Sequence, residues 1–437
     1  MHTSPPDSIA AMPVVIANSA QRQITGDQDA NVPDAGDQVD IDQVRQGDDN
    51  RDPAPAVPRG VRRVTFVITS MPVGGAETLL VDLMRGFDRD RIVADVVCLK
   101  EPGPLGEAIA DQFDVTSDLT GGKFDVRVLP RLVAHFRRRQ TDVVITVGAG
   151  DKMFWGRIAG KIAGVSGVVS ALHSTGWPDG VGRLNRRLDR ITDAYIAVAD
   201  SHGQFLHDFE GFPSDKVHVI RNGVDCRRFG GHQAAAAQHR RSVIDEFDFN
   251  SDCTIVGIVA ALRSEKNHRL FVEAAAEVLR QHPSTEFLIV GDGPCRGEIE
   301  DCIERLGVDR RVHLLGNRSD TPRLLAAMDI FALTSLNEAS PVSILEALAC
   351  RTPVVATDVG SVRETVRHNE TGMLVQSEDL EGLTDALNQL IADPKRRSRY
   401  GAAGRQLVVE TGSLESMIAG YTDLIEQSCG RNRSSRQ

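Results

Sequence analysis

The sequence predicts an α/β protein built from two tandem doubly wound domains, each a parallel sheet covered by helices on both faces. Three observations predict this class. Short, continuous apolar strands alternate with helical patterns, which is typical of a buried parallel sheet. The alternation stops about halfway along the chain and then restarts. The chain has 437 residues, too many for one ordinary domain, and its 41% hydrophobic content is enough for two cores.

The N-terminal stretch 1–60 is predicted to be a disordered acidic tail. It holds ten Asp and four Arg, so −6 of the formal net charge of −11 lies there and −5 remains for the other residues. A segment so poor in aromatic and periodic apolar residues cannot bury enough surface to offset its ordering entropy. The absence of a basic excess argues against nucleic-acid binding.

The cysteine pattern and hydropathy predict a cytoplasmic protein. Seven cysteines are dispersed without a CxxC pair or zinc-type spacing, which is typical of free thiols in a reducing compartment. No apolar run approaches the roughly 18 residues of a spanning helix. The early apolar stretch 9–20 lacks a preceding basic region and is interrupted by Pro13, so it does not fit a signal peptide.

The first domain is predicted over residues 61–226. Its helical patterns include Leu79, Leu80, Leu83 and Met84. Its strands are predicted at 63–69, 94–99, 141–148, 167–174, 194–201 and 217–223. A polar stretch rich in Ala, His and Arg interrupts this rhythm, and residues 227–251 are therefore predicted to be the linker.

The second domain is predicted over residues 252–410. Its strands are expected at 254–260, 286–293, 312–316, 330–335 and 353–360, and its helices at about 267–281, 296–307, 340–350 and 377–392. A final amphipathic helix is predicted over 411–430. Ligands of open parallel sheets bind beyond the carboxyl ends of the strands, so the loops that follow strands are the candidate sites.

The stretch NEASPVSILEALA, residues 337–349, follows one of these strands and holds two acids. Ser340 is the predicted N-cap and Pro341 the first helical residue, which places Glu338 in the loop and Glu346 inside the helix. Carboxylates accept strong hydrogen bonds, so Glu346 suits vicinal sugar hydroxyls. The alternative is that Glu338 is a solvated loop acid and Glu346 pairs with a buried arginine.

The start of that helix is itself a candidate site. Uncapped amides at Ser340, Val342 and Ser343 would bind an anion such as a phosphate. A second candidate is ALRSEKNH, residues 261–268, where Arg263 and Lys266 follow a strand and open a helix. Cations oppose the dipole of a helix N-terminus, so their presence there indicates an anionic ligand more than a solvated basic turn.

Two candidates lie in the first domain. Gly74 and Gly75 occupy the first strand-to-helix loop, where glycine lets the backbone approach a phosphate or sugar closely, although a plain turn explains them as well. His173 ends a strand, and from position alone a lone histidine is more often structural than catalytic.

Two further motifs, one glycine-rich and one acidic, do not indicate a site. GDGP, residues 291–294, lacks the G-x-G-x-x-G spacing of a dinucleotide fingerprint. DRD, residues 88–90, follows a helix and is interpreted as a solvated turn, so no metal site is expected. The loop LGNRSD, residues 315–320, is the predicted base pocket, with backbone groups around Asn317 and Arg318 facing a nucleobase.

The spacing Glu338-x7-Glu346, in the context TSLNEASPVSILEALACRTPVVATDVGSVRETV, resembles the signature of family 4 glycosyltransferases, which have the GT-B fold of two Rossmann-like domains flanking a cleft. The resemblance covers roughly residues 61–428 and is stronger in the second domain. It implies that Glu338 contacts the transferred sugar, that Glu346 holds the nucleotide ribose and that His173 faces the donor sugar. It also implies that the last helix packs back on the first domain.

The resemblance further implies a retaining transferase that uses a UDP- or GDP-sugar, a glycan or lipid-linked saccharide as acceptor, and no metal or other cofactor. This sequence departs from the family pattern at one point, because Ala261 stands where the family has a diphosphate-binding arginine. Arg263 is a candidate substitute, and Lys266 matches the family lysine. A nucleotide-sugar epimerase or hydrolase, or a non-catalytic protein of this fold, are the alternatives.

Three basic clusters, at 137–139, 183–190 and 394–399, are each expected to be solvated helical faces. The first two lie in the domain that the resemblance assigns to the acceptor. They therefore allow a second interpretation, peripheral contact with the inner face of an anionic membrane that carries a lipid-linked acceptor.

Overall fold

The computed structural model describes Pro58 and residues 60–121, 125–148, 151–173, 186–230 and 233–434. The tail predicted over 1–60 therefore lies, apart from Pro58 and Gly60, outside the described residues. Within them, no helix has the length and hydrophobicity needed to cross a bilayer.

The first domain is built on a seven-stranded parallel sheet in the order β3-β2-β1-β4-β5-β6-β7. Its central strands are buried along nearly their whole length because helices cover both faces. The strands are β1 Arg62–Ile68, β2 Ile92–Cys98, β3 Val115–Thr116, β4 Val143–Val147, β5 Gly167–Ala171, β6 Ala194–Ala197 and β7 Val217–Val219.

The second domain is built on a six-stranded parallel sheet in the order β10-β9-β8-β11-β12-β13. Its core residues form one continuous apolar cluster. The strands are β8 Thr254–Val259, β9 Thr285–Val290, β10 Val312–Gly316, β11 Ile330–Leu333, β12 Val354–Thr357 and β13 Gly372–Val375. Two doubly wound α/β domains are thus present, and the predicted fold class is confirmed.

Helices connect the strands and cover the sheets. In the first part of the chain they are α1 Gly75–Gly86, α2 Gly103–Ile109, α3 Val128–Arg139, α4 Asp151–Ala163 and α5 Asp200–Asp208. They continue with α6 Gln233–Phe247, α7 His268–Gln281, α8 Arg296–Leu306, α9 Thr321–Ala327 and α10 Val342–Ala349. The last four are α11 Val362–Thr365, α12 Leu380–Ala392, α13 Pro394–Thr411 and α14 Leu414–Ser434.

The strand order reverses between β1 and β4 in one sheet and between β8 and β11 in the other. At such a point neighbouring strands send their helices to opposite faces, which opens a crevice at the carboxyl edge. The loops after β1, β8 and β11 carry Gly74, Lys266 and Glu338. The topology therefore brings three predicted motifs to the two crevices.

The stretch 227–251, predicted as a linker, is mostly the helix α6, and the prediction is wrong for that part. Val243 is fully buried in the core of the second domain. Arg240 donates to the Ala327 carbonyl at 3.0 Å and to the Asp329 carboxylate at 2.8 Å. The polar composition reflects a helix that covers the sheet through one buried face and an arginine whose charge is neutralised there.

The last helix belongs to the first domain. Val224 donates to the Gly412 carbonyl at 2.9 Å, and Leu414 donates to the Val224 carbonyl at 3.0 Å. The chain therefore returns from the second domain to the first beside the segment by which it left. α14 then buries five side chains in the first domain's core, Met417, Tyr421, Leu424, Ile425 and Cys429.

Candidate active site

Glu338 lies in the loop between β11 and α10 and is only 7% exposed. Its carboxylate accepts hydrogen bonds from Lys266 Nζ and from Ser335 Oγ, both at 2.6 Å. The alternative that Glu338 is a solvated loop acid is therefore wrong. A buried carboxylate held by a cation and a hydroxyl has a fixed position, which is what recognition of a substrate hydroxyl requires.

The Glu338 loop is shaped by a close backbone approach from Gly360. This glycine has φ +52°, and a Cβ built on it would lie 1.8 Å from the Glu338 carbonyl oxygen. The neighbouring Ser361 amide donates to that same oxygen at 3.2 Å. Thr357 Oγ1 donates to the Ser335 carbonyl at 2.6 Å. The loop after β12 thus supports the loop after β11 along its length.

Lys266 reaches Glu338 from a short 3-10 turn, Ser264–Lys266, which follows β8. α7 begins at His268, close to its predicted start at about 267, so only the prediction that Arg263 and Lys266 open that helix is wrong. Asn267, with φ +47°, separates the turn from the helix. Thr334 Oγ1 donates to the carbonyls of Lys266 and Asn267 at 3.1 and 3.0 Å. The end of β11 therefore holds the turn in register with the Glu338 loop.

Arg263 lies at the edge of this arrangement. Its side chain is 58% exposed, and its ion pair, with Glu265, has a distance of 4.0 Å. Ala261, at the position of the family arginine, is partly buried. Arg263 as a phosphate ligand remains a prediction.

The helix that carries Glu346 begins one residue later than predicted. Pro341 is the N-cap, with φ −72° and ψ 113°, and Val342 is the first helical residue, so the predicted cap at Ser340 is wrong. Proline at this position accepts the first helical bond through its carbonyl, from Ile344 at 3.2 Å. No side chain caps this start. The Ser340 carbonyl instead accepts Nδ2 of Asn222, in the first domain, at 3.0 Å.

The start of α10 faces the start of α1 across the two domains. Gly74 is the extended N-cap of α1 and has no side chain to cap that start, while the Glu77 carboxylate lies beside it, with Oε2 2.5 Å from a Cβ built on Gly74. A Cβ built on Gly75 would lie 3.5 Å from Cβ of Val342, so the two helix ends are in contact. Each N-terminus carries about half a positive charge. Together with Ser343 in the same turn and with Lys266 nearby, they form a region that favours an anion.

Glu346 lies on the partly buried face of α10. Burial raises the pKa of its carboxyl to about 8, with Arg228 acting to lower it and Asp82 acting to raise it. Arg228 itself lies 3.9 Å from Asp82. At pH 7 the Glu346 carboxyl therefore holds a proton in the free protein, so it can donate one hydrogen bond and accept others, which suits a vicinal diol.

His173 stands two residues beyond β5 and is half-buried. It lines a small cavity with side chains of β1, β4, α1 and α14, namely Phe66, Ala76, Leu79, Leu80, Leu83, Val147, Met417 and Tyr421. The structure thus places His173 against the helix that begins at Gly75. The residues that follow it, 174–185, lie outside the described part of the chain.

Arg318 has its guanidinium fully engaged. It donates to Asp320 at 2.8 and 3.0 Å and pairs with Glu246 at 3.0 Å. These acids raise its pKa, with the hydrogen bond that Arg318 donates to Asp320 as the main cause. A base-binding role at this loop would therefore fall to its backbone, as the sequence analysis proposed.

The GDGP glycines serve a backbone contact. A Cβ on Gly291, where φ is +139°, would lie 2.1 Å from the Ala260 carbonyl oxygen, and one on Gly293 would lie 2.5 Å from that of Leu262. These glycines let the loop after β9 pack on the Lys266 loop. Among the described residues, no group of three or more His, Cys, Asp or Glu has the arrangement of a metal site.

Sequence reasoning missed the residues that link the motifs. RNGVD, residues 221–225, has the composition of a turn, yet Asn222 binds the Ser340 carbonyl from the other domain. Glu364 has no role predicted from the sequence, and it contacts the first domain directly. Neither local pattern indicates a partner in the other domain.

Two family models match the chain on either side of the domain crossing. The model described as "Glycosyltransferase Family 4" matches residues 73–228, and the one described as "Glycosyl transferases group 1" matches residues 240–407. Between them they include Gly74, Gly75 and His173 in the first domain and Lys266, Glu338 and Glu346 in the second. Both halves of the cleft thus lie within matched sequence.

Two individual relatives and one solved structure are similar to this chain over both domains. The GDP-mannose-dependent monoacylated alpha-(1-6)-phosphatidylinositol monomannoside mannosyltransferase of Corynebacterium glutamicum is 28% identical over 395 residues, which is 83% of this chain and 98% of that protein. The UDP-Gal:alpha-D-GlcNAc-diphosphoundecaprenol alpha-1,3-galactosyltransferase of Escherichia coli is 26% identical over 316 residues, 68% of this chain and 80% of that one. The structure of Anabaena HepE in complex with UDP and glucose has a TM-score of 0.73 at 23% identity, over 83% and 99% of the two chains, and so shares the fold.

Proposed function

This chain belongs to glycosyltransferase family 4, and we propose that it transfers a sugar from a nucleoside diphosphate to a hydroxyl of a glycan or lipid-linked saccharide, with retention of the anomeric configuration. The observation that carries this proposal is the Lys266–Glu338 pair, 2.6 Å long, beside two uncapped helix starts that meet across the cleft. A carboxylate for sugar hydroxyls and positive charge for a diphosphate stand next to each other there.

The diphosphate is proposed to bind where α1 and α10 meet. Lys266, whose ammonium is paired with the Glu338 carboxylate in the free protein, contributes a positive charge, and the helix starts at Gly75 and Val342 each contribute about half a charge. As the bond between the anomeric carbon and the phosphate oxygen breaks, negative charge grows on the diphosphate. Donors fixed in place before the reaction stabilise that charge without reorganising, which is often the largest catalytic contribution.

The two glutamates are proposed to bind different parts of the donor. Glu338 accepts hydrogen bonds from hydroxyls of the transferred sugar, and His173 faces that sugar from the first domain. Glu346 binds the ribose diol eight residues further along. The buried position of Glu338 supports this role, since its carboxylate is already oriented by Lys266 and Ser335.

The chemistry is proposed to need no metal ion, because Lys266 and the two helix starts supply the positive charge that a diphosphate leaving group requires. Transfer activity should then persist after treatment with EDTA. Loss of activity that only added Mg²⁺ or Mn²⁺ restores would contradict this part of the proposal.

The acceptor side is proposed to include contact with an anionic membrane. Phe209, the C-cap residue of α5, is 73% exposed and stacks on Phe205 with 5.4 Å between the ring centroids. Arg186 packs beside the following turn, where a Cβ on Gly211 would lie 3.5 Å from its Cδ. Exposed aromatic and basic side chains together suit a lipid surface. The exposed Arg190 extends the same patch.

The other two basic clusters support this contact less well. Arg139 is mostly buried and pairs with Asp114 at 2.7 Å. Arg397 donates to the Leu390 and Ile391 carbonyls, each at 2.7 Å.

If Phe209 contacts the membrane, Phe209→Ser should reduce sedimentation of the protein with phosphatidylglycerol vesicles, whereas Val409→Ser, at an exposed valine of the second domain, should not. Equal sedimentation of all three proteins would overturn the membrane proposal.

Donor identity is tested by thermal shift with UDP, GDP and their hexose conjugates. A nucleotide present at 100 times its Kd adds about 2.7 kcal/mol, so the Tm should rise by roughly 5–10 °C for the correct base. The matching donor is then incubated with and without a glycan acceptor. Consumption that is equally fast without acceptor would identify a hydrolase or an epimerase instead of a transferase.

A further inference from the structure

A first-domain helix is capped by a carboxylate from the second domain. α5 begins after Ala199, and none of its own side chains caps that start. Glu364 of α11 supplies the cap, since its Oε2 accepts the Asp200 amide at 2.9 Å and its Oε1 accepts the Ser201 amide at 2.8 Å. Each domain thus lacks half of this contact when it is considered alone.

The charge on Glu364 suits this position. Burial acts to raise the pKa of its carboxyl, but hydrogen bonds from the Ser201 side chain and from the Ser201 and Asp200 amides outweigh it, and the net pKa is lowered. The ionised carboxylate also faces the positive end of the α5 dipole. Arg221, which forms an ion pair with the Asp200 side chain, also acts to lower the pKa of Glu364.

The same short segment that carries Glu364 also supports the Glu338 loop. Ser361 donates through its amide to the Glu338 carbonyl at 3.2 Å and through Oγ to the Ala339 carbonyl. At the far end of the loop, Asn222 of the first domain donates to the Ser340 carbonyl at 3.0 Å. The loop is therefore tied to the first domain at both ends, directly through Asn222 and indirectly through Ser361 and Glu364.

We infer that Glu364 is a positioning residue that couples contact between the domains to the placement of the Glu338 carboxylate. The sugar subsite is complete only when the α5 amides hold Glu364, because that contact fixes α11 and α11 supports the loop. This inference rests on the proposed function for its catalytic consequence. Its structural part does not depend on that function. This part states that the contact between Asp200 and Glu364, which are 164 residues apart in sequence, protects the Glu338 loop.

Asp200 allows a selective test, because proline there removes one amide and little else. Asp200 is the first residue of α5, where proline is favoured, and Ala199 before it is extended at φ −157° and ψ 162°, as a residue before proline must be. Asp200→Pro deletes the N–H that binds Glu364. Asp200→Asn is the matched control, since it also loses the carboxylate paired with Arg221 but keeps the N–H.

The kinetic readout separates positioning from donor binding. Glu364→Gln and Asp200→Pro should each lower the kcat of sugar transfer by about tenfold, and combining them should add little, because both remove one contact. The Kd of the nucleoside diphosphate should stay within about twofold. Asp200→Asn and Glu370→Gln, an exposed acid of the same domain, should retain kcat. Unchanged kcat in Glu364→Gln, or Kd and kcat that weaken in parallel, would overturn the inference.

Hydrogen exchange provides a readout that needs no activity. In the free protein, Glu364→Gln and Asp200→Pro should speed exchange in the peptide that spans 336–344, and Asp200→Asn should not. Unchanged exchange there refutes the positioning role even if the enzyme is active. If these variants exchange faster but the unsubstituted protein itself transfers no sugar, the proposed function is refuted and the positioning role is not.

Discussion

The close approach of Gly360 to the Glu338 loop predicts a specific loss on substitution of Gly360 by alanine. The new Cβ would lie 1.8 Å from the Glu338 carbonyl oxygen, whereas ordinary contact begins at 3.4 Å, so one of the two loops must move by about 1.6 Å. The residue also has φ +52°, where a side chain adds about 1–2 kcal/mol of strain. Displacement of a substrate-positioning group by about 1 Å costs on the order of 100-fold in rate.

Gly360→Ala should therefore lower kcat by about 100-fold, and its Tm should fall by roughly 2–8 °C. The Kd of the nucleoside diphosphate should change little, because Lys266 and Glu346 lie on other elements. The assay combines initial-rate kinetics with calorimetric titration of the nucleotide and a thermal melt.

The matched control is Gly307→Ala. Gly307 also has a left-handed φ, +64°, but a Cβ there would meet nothing within 4 Å. Both variants carry the same backbone strain, and only Gly360→Ala carries the contact with the Glu338 loop. If the two variants lose equal stability and equal kcat, the loop is not positioned by Gly360 and the reasoning fails.

Three further predictions concern Lys266, Glu346 and Arg240. Lys266→Ala should lower kcat by roughly 10²–10³-fold, as removal of a preorganised charge does. Lys266→Arg keeps the charge and should retain part of the rate. Equal kcat values in the two variants, measured at saturating donor, would contradict the charge argument. The pKa of Glu346 is raised to about 8, so the folded protein keeps a proton that the unfolded chain loses near the ordinary carboxyl pKa. The free energy of unfolding should therefore fall as pH rises from 5 to 8. Glu346→Gln should flatten that pH dependence in thermal melts. Arg240→Ala should destabilise the second domain by about 2 kcal/mol, because it leaves the partly buried Asp329 carboxylate with the more distant Arg397, at 3.6 Å, as its remaining cationic partner; chemical denaturation compared with the exposed Arg241→Ala tests this, and equal midpoints would contradict it.

Local patterns in the sequence were sufficient to predict the sheets. Strands such as β8 and β11 are runs of buried aliphatic residues, and their spacing reflects a parallel sheet covered on both faces. The same patterns placed Glu338 in a loop and Glu346 in a helix, and both positions are confirmed. These features depend on residues close together in the chain, so one sequence contains the information.

The contacts that assemble the site could not be predicted in this way. Lys266 and Glu338 meet over 72 residues of sequence, and Asn222 meets Ser340 over 118. The first pair forms because β8 and β11 are neighbours in one sheet, whereas the second depends on how the two domains are arranged. The prediction of a linker at 227–251 was wrong for a different reason. A helix with one buried face and an arginine paired with an acid has the polar composition of a linker, and only its packing against the second sheet identifies it as part of that domain.

The crossing at Val224 and Gly412 has a consequence for how the chain is made. The first domain completes its core with Met417, Tyr421, Leu424 and Ile425, which are synthesised after the whole second sheet. A nascent chain that has released everything up to β13 has a finished second sheet but an unfinished first one, with an apolar face open beside β4 and β5. Biosynthesis thus reverses the usual N-terminal-first order of domain completion, and the early half must stay soluble until the final helix emerges.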